Sequence, residues 1–383
     1  MNIVSALLFL LVFLVLNAWI SWNGSLFWSA ILPEGMMSAY WIIYGVIAVA
    51  YIAAMLLRRA LPYWGYALLK QIGSYGLAVL FYALLLVPAG DLIYGVLRLA
   101  GLEAATALPV AGWTASGGLL VLLLKGSWNA WRPIVRRYDI EIGKSGGAYK
   151  SLRVMVASDL HLGNIVGKRH LRRLVRKAEE LKPDLILMPG DVLDDSVEPF
   201  VRERMADVMR ELRAPLGVYV SLGNHEYYGG HIPEYMERMK AIGIEVLTDR
   251  TVLVADSFYV AGRKDKAAES MQNGRLPVAE LLAGLDPAKP ILLLDHQPYG
   301  FEKAAEAGAD LMLSGHTHRG QMAPNHWITR RLFELDWGYM RKHAMHVVVS
   351  SGFGTWGPPV RIGSRSEVLD LRVTFTGSQE KSG

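Results

Sequence analysis

The chain is 383 residues long, carries a formal net charge of +5 and contains no cysteine. That length allows two domains, the missing thiols exclude disulfides and thiolate metal ligands, and so mild a charge, with no nucleic-acid module in view, argues against a polyanion-binding domain. Its 52% hydrophobic content is high for a wholly water-soluble protein and is unevenly spread.

Through Ala130 there are eight charged residues, Glu34, Arg58, Arg59, Lys70, Asp91, Arg98, Glu103 and Lys125, and the other 253 residues carry 67 of the 75 charges. Four uncharged stretches, near 3–20, 36–57, 71–90 and 104–124, each approach the roughly 20 residues that carry a helix across a bilayer. The opening MNIVS lacks a basic segment and no small-residue cleavage site follows, so the first stretch reads as a span rather than a signal peptide. Arg58, Arg59 and Lys70 lie between the second and third spans, and Lys125, Arg132, Arg136 and Arg137 follow the fourth, whereas 21–35 and 91–103 are nearly free of cations. The positive-inside rule then puts both termini and everything after the spans in the cytoplasm of a multi-pass cell-membrane (inner-membrane) protein. Trp128 and Trp131 fit a juxtamembrane anchor that closes a region 1–137, and 138–151, with the Gly/Ser-containing IGKSGGAYK, reads as a linker.

From Leu152 short apolar runs alternate with amphipathic stretches. LRVMVAS (152–158) predicts a buried strand, Lys168–Leu181 a basic helix, LILMPG (185–190) a second strand and 199–212 a helix. GVYVSLG, ILLLDHQ and DLMLSGH repeat the strand pattern, with helices at 232–242 and 300–307. Such alternation is that of an α/β domain. MHVVVSSG and EVLDLRVTF read as late strands with no helix between them, which favours two sheets, sandwiched and flanked by helices, over 152–375, ahead of a short tail at 376–383.

The ends of those strands carry polar groups in order: Asp159 and His161, then Asp191 with Asp194 and Asp195, then Asn224, His225 and Glu226, then His296, then His316 and His318. Carboxyl ends of strands are where α/β sheets gather sites. Taken singly, each group has a structural reading: Asn224-His225 as a helix start, His316 as a loop residue bonded to backbone. Five strand ends in series point instead to one shared metal site, with His316 and His318 facing two different ions. Oxygen and imidazole donors without sulfur suit Mn, Fe or Zn.

The series DLH, GDxxDD, GNHE, H and GHTH resembles the calcineurin-like metallophosphoesterases over about 152–375, and SSGFGTWGPPVRIGSRSE (350–367) resembles their bacterial, often membrane-tethered branch. The resemblance implies two divalent ions, Mn first and Zn, Fe or Mg otherwise. Asp159, His161 and His318 would hold one, Asn224, His296 and His316 the other, and Asp191 would bridge them. It further implies in-line attack on phosphorus by a hydroxide that the two ions share, with His225 as general acid, oriented by Asp194 or Asp159. Arg319 stands where many members have Gly and would either contact substrate phosphate or stay solvated. A site tethered to a bilayer favours a lipid-linked or small-molecule phosphodiester or pyrophosphate, and RRLFELDWGYMRK (330–342) would lie against headgroups or form a solvated hairpin. Arg169, Arg172, Arg173, Arg176 and Lys177 of the 168–181 helix read as a solvated face. Two other readings remain, a nuclease, though no nucleic-acid partner is expected, and a membrane sensor or scaffold that binds metal without turnover. A transporter is disfavoured by spans almost devoid of ionisable groups.

Overall fold

A computed structural model describes residues 3–272 and 274–377. Two compact units make up the chain, one running to Ser127 together with Gly357–Val360, the other starting at Trp128. Four long helices dominate the first unit: α1 (Ile3–Ser29), α2 (Met37–Leu57), α3 (Tyr63–Leu99) and α4 (Ala104–Trp131), the last ending inside the second unit. All four are long and apolar enough to cross a membrane. The third runs nine residues past its expected end at Gly90, because Asp91 and Arg98 sit on an otherwise apolar helical pattern without breaking it.

The second unit contains two six-stranded mixed sheets. In chain order the strands are β1 (Ile134–Ile142), β2 (Ser151–Val156), β3 (Leu185–Pro189), β4 (Val218–Ser221), β5 (Glu245–Leu247), β6 (Arg250–Val254), β7 (Phe258–Gly262), β8 (Ile291–Leu294), β9 (Leu311–Ser314), β10 (Gly338–Lys342), β11 (Met345–Val349) and β12 (Glu367–Phe375). One sheet has the order β1-β12-β2-β3-β4-β5 and the other β10-β11-β9-β8-β7-β6. Strands β2 to β5 are mutually parallel, as are β7, β8, β9 and β11. Along the first half run α5 (Lys168–Leu181), α6 (Val197–Arg202), α7 (Met205–Met209), α8 (Asn224–Gly229) and α9 (Ile232–Ala241). Then come α10 (Val278–Leu281), α11 (Phe301–Glu306) and α12 (His326–Leu332).

Strand parity explains the sandwich. Side chains alternate between faces along a strand, so Val154, Val156, Leu185 and Leu187 enter a core shared with Leu292, Leu294, Leu311 and Leu313 of the other sheet. Met155, Ile186 and Met188 turn the other way, onto Leu171, Leu174 and Phe200 of the helices. Burial on both faces is why these strands read as unbroken apolar runs.

The two late strands fall one in each sheet: β11 pairs with β9, and β12 inserts between β1 and β2. Several expectations need correction. Residues 134–142, assigned to the anchor and the linker, form β1 in parallel register with β12, from Ile134↔Glu367 to Ile142↔Phe375. Ile140 and Ile142 bury against the inter-sheet core, while Arg136 and Arg137 pair with Glu367 and Asp370. Trp131 packs edge-on to His170 (5.2 Å between centroids) and against the first-sheet core. The single helix expected over 199–212 is two, since Arg204 between them adopts a left-handed backbone (φ 50°). Segment 330–342 is the end of α12 followed by β10. The tail from 378 onward lies outside the described residues.

Candidate metal centre

Five parallel strands, β2, β3, β4, β8 and β9, end at one crevice, and the loops that leave them carry all the residues singled out above. Asp159, His161, Asp191, His316 and His318 all have positive φ, between 47° and 72°. For residues other than Gly this conformation is uncommon, and it clusters at functional sites where the surroundings over-determine it. It lets a chain leaving a strand turn at once, so that the polar side chains just past it reach the crevice.

Two donor groups result. In the first, Asp159 Oδ1 lies 3.5 Å from His318 Nε2, and His161 Nε2 lies 3.0 Å from His318 Nε2. In the second, His296 Nε2 is 3.0 Å from Asp191 Oδ2 and His316 Nδ1 is 2.8 Å from Asn224 Oδ1. The same Asp191 Oδ2 is 3.8 Å from His161 Nε2, which places it between the two groups. Donor atoms at right angles around an ion with bonds of about 2.1 Å stand about 3 Å apart, so the spacing fits divalent ions.

Supporting bonds hold the donors in place. Asp159 Oδ1 accepts from the His316 amide (2.8 Å), and Asp191 Oδ1 from the His225 amide (2.9 Å). The His296 ring is fixed by Nδ1 donating to the Pro189 carbonyl (2.8 Å), which turns Nε2 towards Asp191. Arg361, fully buried, donates to the Gly354 and Ser351 carbonyls and stands 2.9 Å from His318 Nδ1. The Glu226 carboxylate accepts from the amides of Asp191, Leu193 and Gly223, tying the second and third motif loops together. Glycine is required beside two carboxylates: a Cβ on Gly315 would collide with Asp159 Oδ2, and one on Gly223 with Asp191 Oδ1.

The donor set fits two cations on electrostatic grounds as well. Burial lowers the His161 imidazole to about 3 and the His316 imidazole to about 4, and it takes His318 well below its ordinary range. Three neutral rings with free lone pairs result. Burial would raise the Asp191 carboxyl, but the neighbouring His296 outweighs it and keeps Asp191 ionised. Burial, reinforced by the Asp191 charge, lifts Asp159 to about 6. Asp159 Oδ2, inaccessible to water, has no hydrogen-bond partner among the described residues. A buried carboxylate oxygen of that kind is costly, and a cation removes the cost.

His225 and Asp195 lie beside this pair of groups. His225 Nδ1 is 2.7 Å from Asp195 Oδ1. Burial lowers the imidazole, but the Asp195 contact and the charges of Asp191, Asp195 and Asp194 more than compensate, bringing it to about 9. The carboxylate beside His225 is thus Asp195, where Asp194 or Asp159 was expected. Asp194 Oδ1 stands 3.8 Å from His161 Nδ1 instead. The adjacent DD pair was the available signal, and only the turn after β3, with Asp195 at φ 55°, decides which carboxylate meets His225. Arg319 does not enter the site. Its guanidinium stacks on Trp337 at 4.0 Å.

The crevice opens into a cavity of about 760 Å³ whose far wall is apolar, with Tyr228, Ile328, Phe333 and Trp356. None of these four was legible as a site residue, because they come from α8, α12 and loops rather than directly from strand ends.

Residues 152–320 match the calcineurin-like phosphoesterase family. A "transmembrane protein with metallophosphoesterase domain" from Danio rerio is 33% identical over 264 residues, 66% of this chain and 60% of that protein. An "uncharacterized metallophosphoesterase" from Aquifex aeolicus is 31% identical over 247 residues, 64% of this chain and 93% of that protein. A dimetal phosphatase from Danio rerio of known structure overlays with a TM-score of 0.34 at 14% identity, over 58% of this chain and 99% of that one, a likeness too slight to inform the site. The relative covered almost end to end carries the assignment: the chain belongs to the calcineurin-like metallophosphoesterases, a family of phosphoric ester hydrolases that bind two divalent metal ions.

Proposed function

We propose that this protein is a membrane-anchored phosphoesterase that hydrolyses phosphodiester or pyrophosphate bonds in a lipid-linked substrate. The observation that carries the reading is the placement of Asp191 Oδ2 between two donor groups at the floor of a cavity with an apolar wall. Asp159, His161 and His318 would hold one divalent ion, Asn224, His296 and His316 the second, and Asp191 both. When bound, such a pair supplies Lewis-acid charge to the phosphoryl oxygens and lowers the pKa of water held there. Manganese suits the mixed oxygen and imidazole donors, with Zn, Fe and Mg as the other choices.

The chain's own groups do the rest. His225 holds a proton at Nε2 while Asp195 fixes Nδ1, so the ring can donate to the oxygen that leaves. Glu226 keeps the Asp191 and Gly223 backbones in register. Tyr228, Ile328, Phe333 and Trp356 offer a surface to the apolar part of the substrate. The four long helices tether this unit to a bilayer, where the local concentration of lipid phosphates is high, and the cation distribution puts both termini and the site on the cytoplasmic face.

The test is metal-dependent turnover. Detergent-solubilised protein stripped with chelator should regain diesterase activity on an activated diester when Mn is restored. Asp191→Asn should retain its fold and lose nearly all of that activity. Turnover preserved in Asp191→Asn would overturn the dinuclear reading. A folded sample that binds two ions yet cleaves neither diesters nor monoesters would make the protein a sensor or scaffold.

A further inference from the structure

Beyond the metal centre, α12 is unusual in burying no residue at all. Trp327, Ile328 and Leu332 are 64%, 58% and 66% exposed. Arg330 and Arg331 are exposed too, and neither pairs with a carboxylate among the described residues. At about 100° per residue, Trp327, Arg331, Ile328 and Leu332 fall along one arc, with Arg330 flanking it on the Trp327 side and Thr329 on the Leu332 side. Thr329 Oγ1 donates to Asp336 Oδ2 (2.6 Å), and Thr317 of the GHTH loop donates to the Asp336 carbonyl (2.5 Å). The helix is thus pinned to the metal loop by its polar side and presents tryptophan, isoleucine, leucine and two arginines outward.

Contiguous large apolar side chains on a surface mark an interaction site. Tryptophan and aliphatic residues with adjacent arginines are the pattern of a segment seated among headgroups, and paired unneutralised arginines complement anionic lipid phosphates. A bilayer is also the partner this chain brings with it: four helices able to cross one precede the catalytic unit, and only Arg132 and Pro133 separate α4 from β1. We infer that α12 docks on an anionic bilayer surface. Trp327, Ile328 and Leu332 enter the acyl boundary and Arg330 and Arg331 bind lipid phosphates. Ile328 also lines the metal-centre cavity, together with Phe333 just past the helix, so docking would open that cavity at headgroup level. The docking itself stands whether or not the centre is catalytic.

The absence of cysteine makes the test direct. Single nitroxides at Leu332→Cys and, as a reference, at Leu253→Cys on β6 (40% exposed) are read in the full-length protein in lipid nanodiscs. In discs of phosphatidylcholine mixed with phosphatidylglycerol, the ratio of oxygen to nickel-chelate collisions at position 332 should exceed that at 253 several-fold. The excess should be lost in discs of phosphatidylcholine alone and after Arg330→Glu with Arg331→Glu. Equal ratios at 332 and 253 in the anionic discs would overturn the inference, as would an excess that survives the arginine changes. Dipolar broadening at 332 would assign the face to a second copy of the chain and equally overturn the bilayer assignment.

Discussion

His225 acquires its role from neighbours rather than from its own position. Its Nδ1 meets Asp195, its backbone amide is held by Asp191, and the carboxylates around it outweigh burial so that the ring favours its proton. A group that donates a proton to a departing oxygen matters most when that oxygen is a poor leaving group. His225→Ala should therefore cost on the order of 10²–10⁴-fold in kcat/KM for esters of aliphatic alcohols and little for nitrophenyl esters. Asp195→Asn should fall between, since Asp195 is an exposed side chain whose loss spares the fold. The plot of log kcat/KM against leaving-group pKa should steepen in both variants, and parallel lines would remove His225 from the proton transfer. At this scale the convergence of the seven candidate donors on one crevice was legible because each lies just past an apolar strand. The Asp195 contact was not, since it depends on two backbone torsions in one turn. Arg319 was misleading for a similar reason: a left-handed backbone (φ 51°) accompanies its placement on Trp337, away from the cavity.

At the scale of elements, β12 ties together two strands, β1 and β2, that both come before the metal motifs, although it lies beyond the last of them in the chain. Asp370 on this strand receives both Nε and Nη2 of Arg153 from β2, each at 2.8 Å, and Arg137 of β1 at 3.2 Å. The Arg153 hydrogen bonds, with those of Arg137, hold the Asp370 carboxyl below its ordinary value. A carboxyl depressed by folding contributes stability above its unfolded pKa of about 3.9 and loses it as pH falls through the lower folded value. Because Arg137 and Arg153 are 77% and 41% exposed, solvent screening limits the contribution to about 1 kcal/mol. Asp370→Asn should thus lower Tm by about 2–4 °C at pH 7, and its deficit should shrink below pH 4 in thermal scans of the two proteins. A deficit that does not depend on pH would assign the loss to packing. Strand β1 escaped the sequence reading because its apolar positions alternate with Arg136 and its neighbours, a pattern that also suits a basic juxtamembrane segment. Strands β5 and β6 were missed because they are only partly buried and carry Glu245, Arg250 and Thr251, which interrupt the apolar run. Strands of similar length that are buried throughout were plain, since burial on both faces leaves no polar residue to blur the pattern.

For the whole molecule, the assignment of Arg136 and Arg137 to sheet ion pairs removes two cations from those that argued for orientation. Lys125 and Arg132 remain near the end of α4, Arg58 and Arg59 lie between α2 and α3, and Lys70 lies early in α3. The bias still points one way, because the α3–α4 connection carries only Arg98 and Glu103 at its ends. At 1.5 Å per residue the 37 residues of α3 reach about 55 Å, well beyond a hydrocarbon core of about 30 Å. Tilt or protrusion therefore accommodates its polar C-terminal turns, where Asp91 and Arg98 lie, at the far surface. With four crossings, position 59 and the catalytic unit fall on the same side, and position 103 on the other. A membrane-impermeant maleimide should label Glu103→Cys in intact cells and Arg59→Cys only after permeabilisation, both side chains being exposed. The opposite pattern would place the metal centre outside the cell. Its lipid phosphates would then have to come from the outer leaflet, and the α12 arginines would need anionic lipid on that face. Labelling of both positions in intact cells would mean that one of the four helices does not cross.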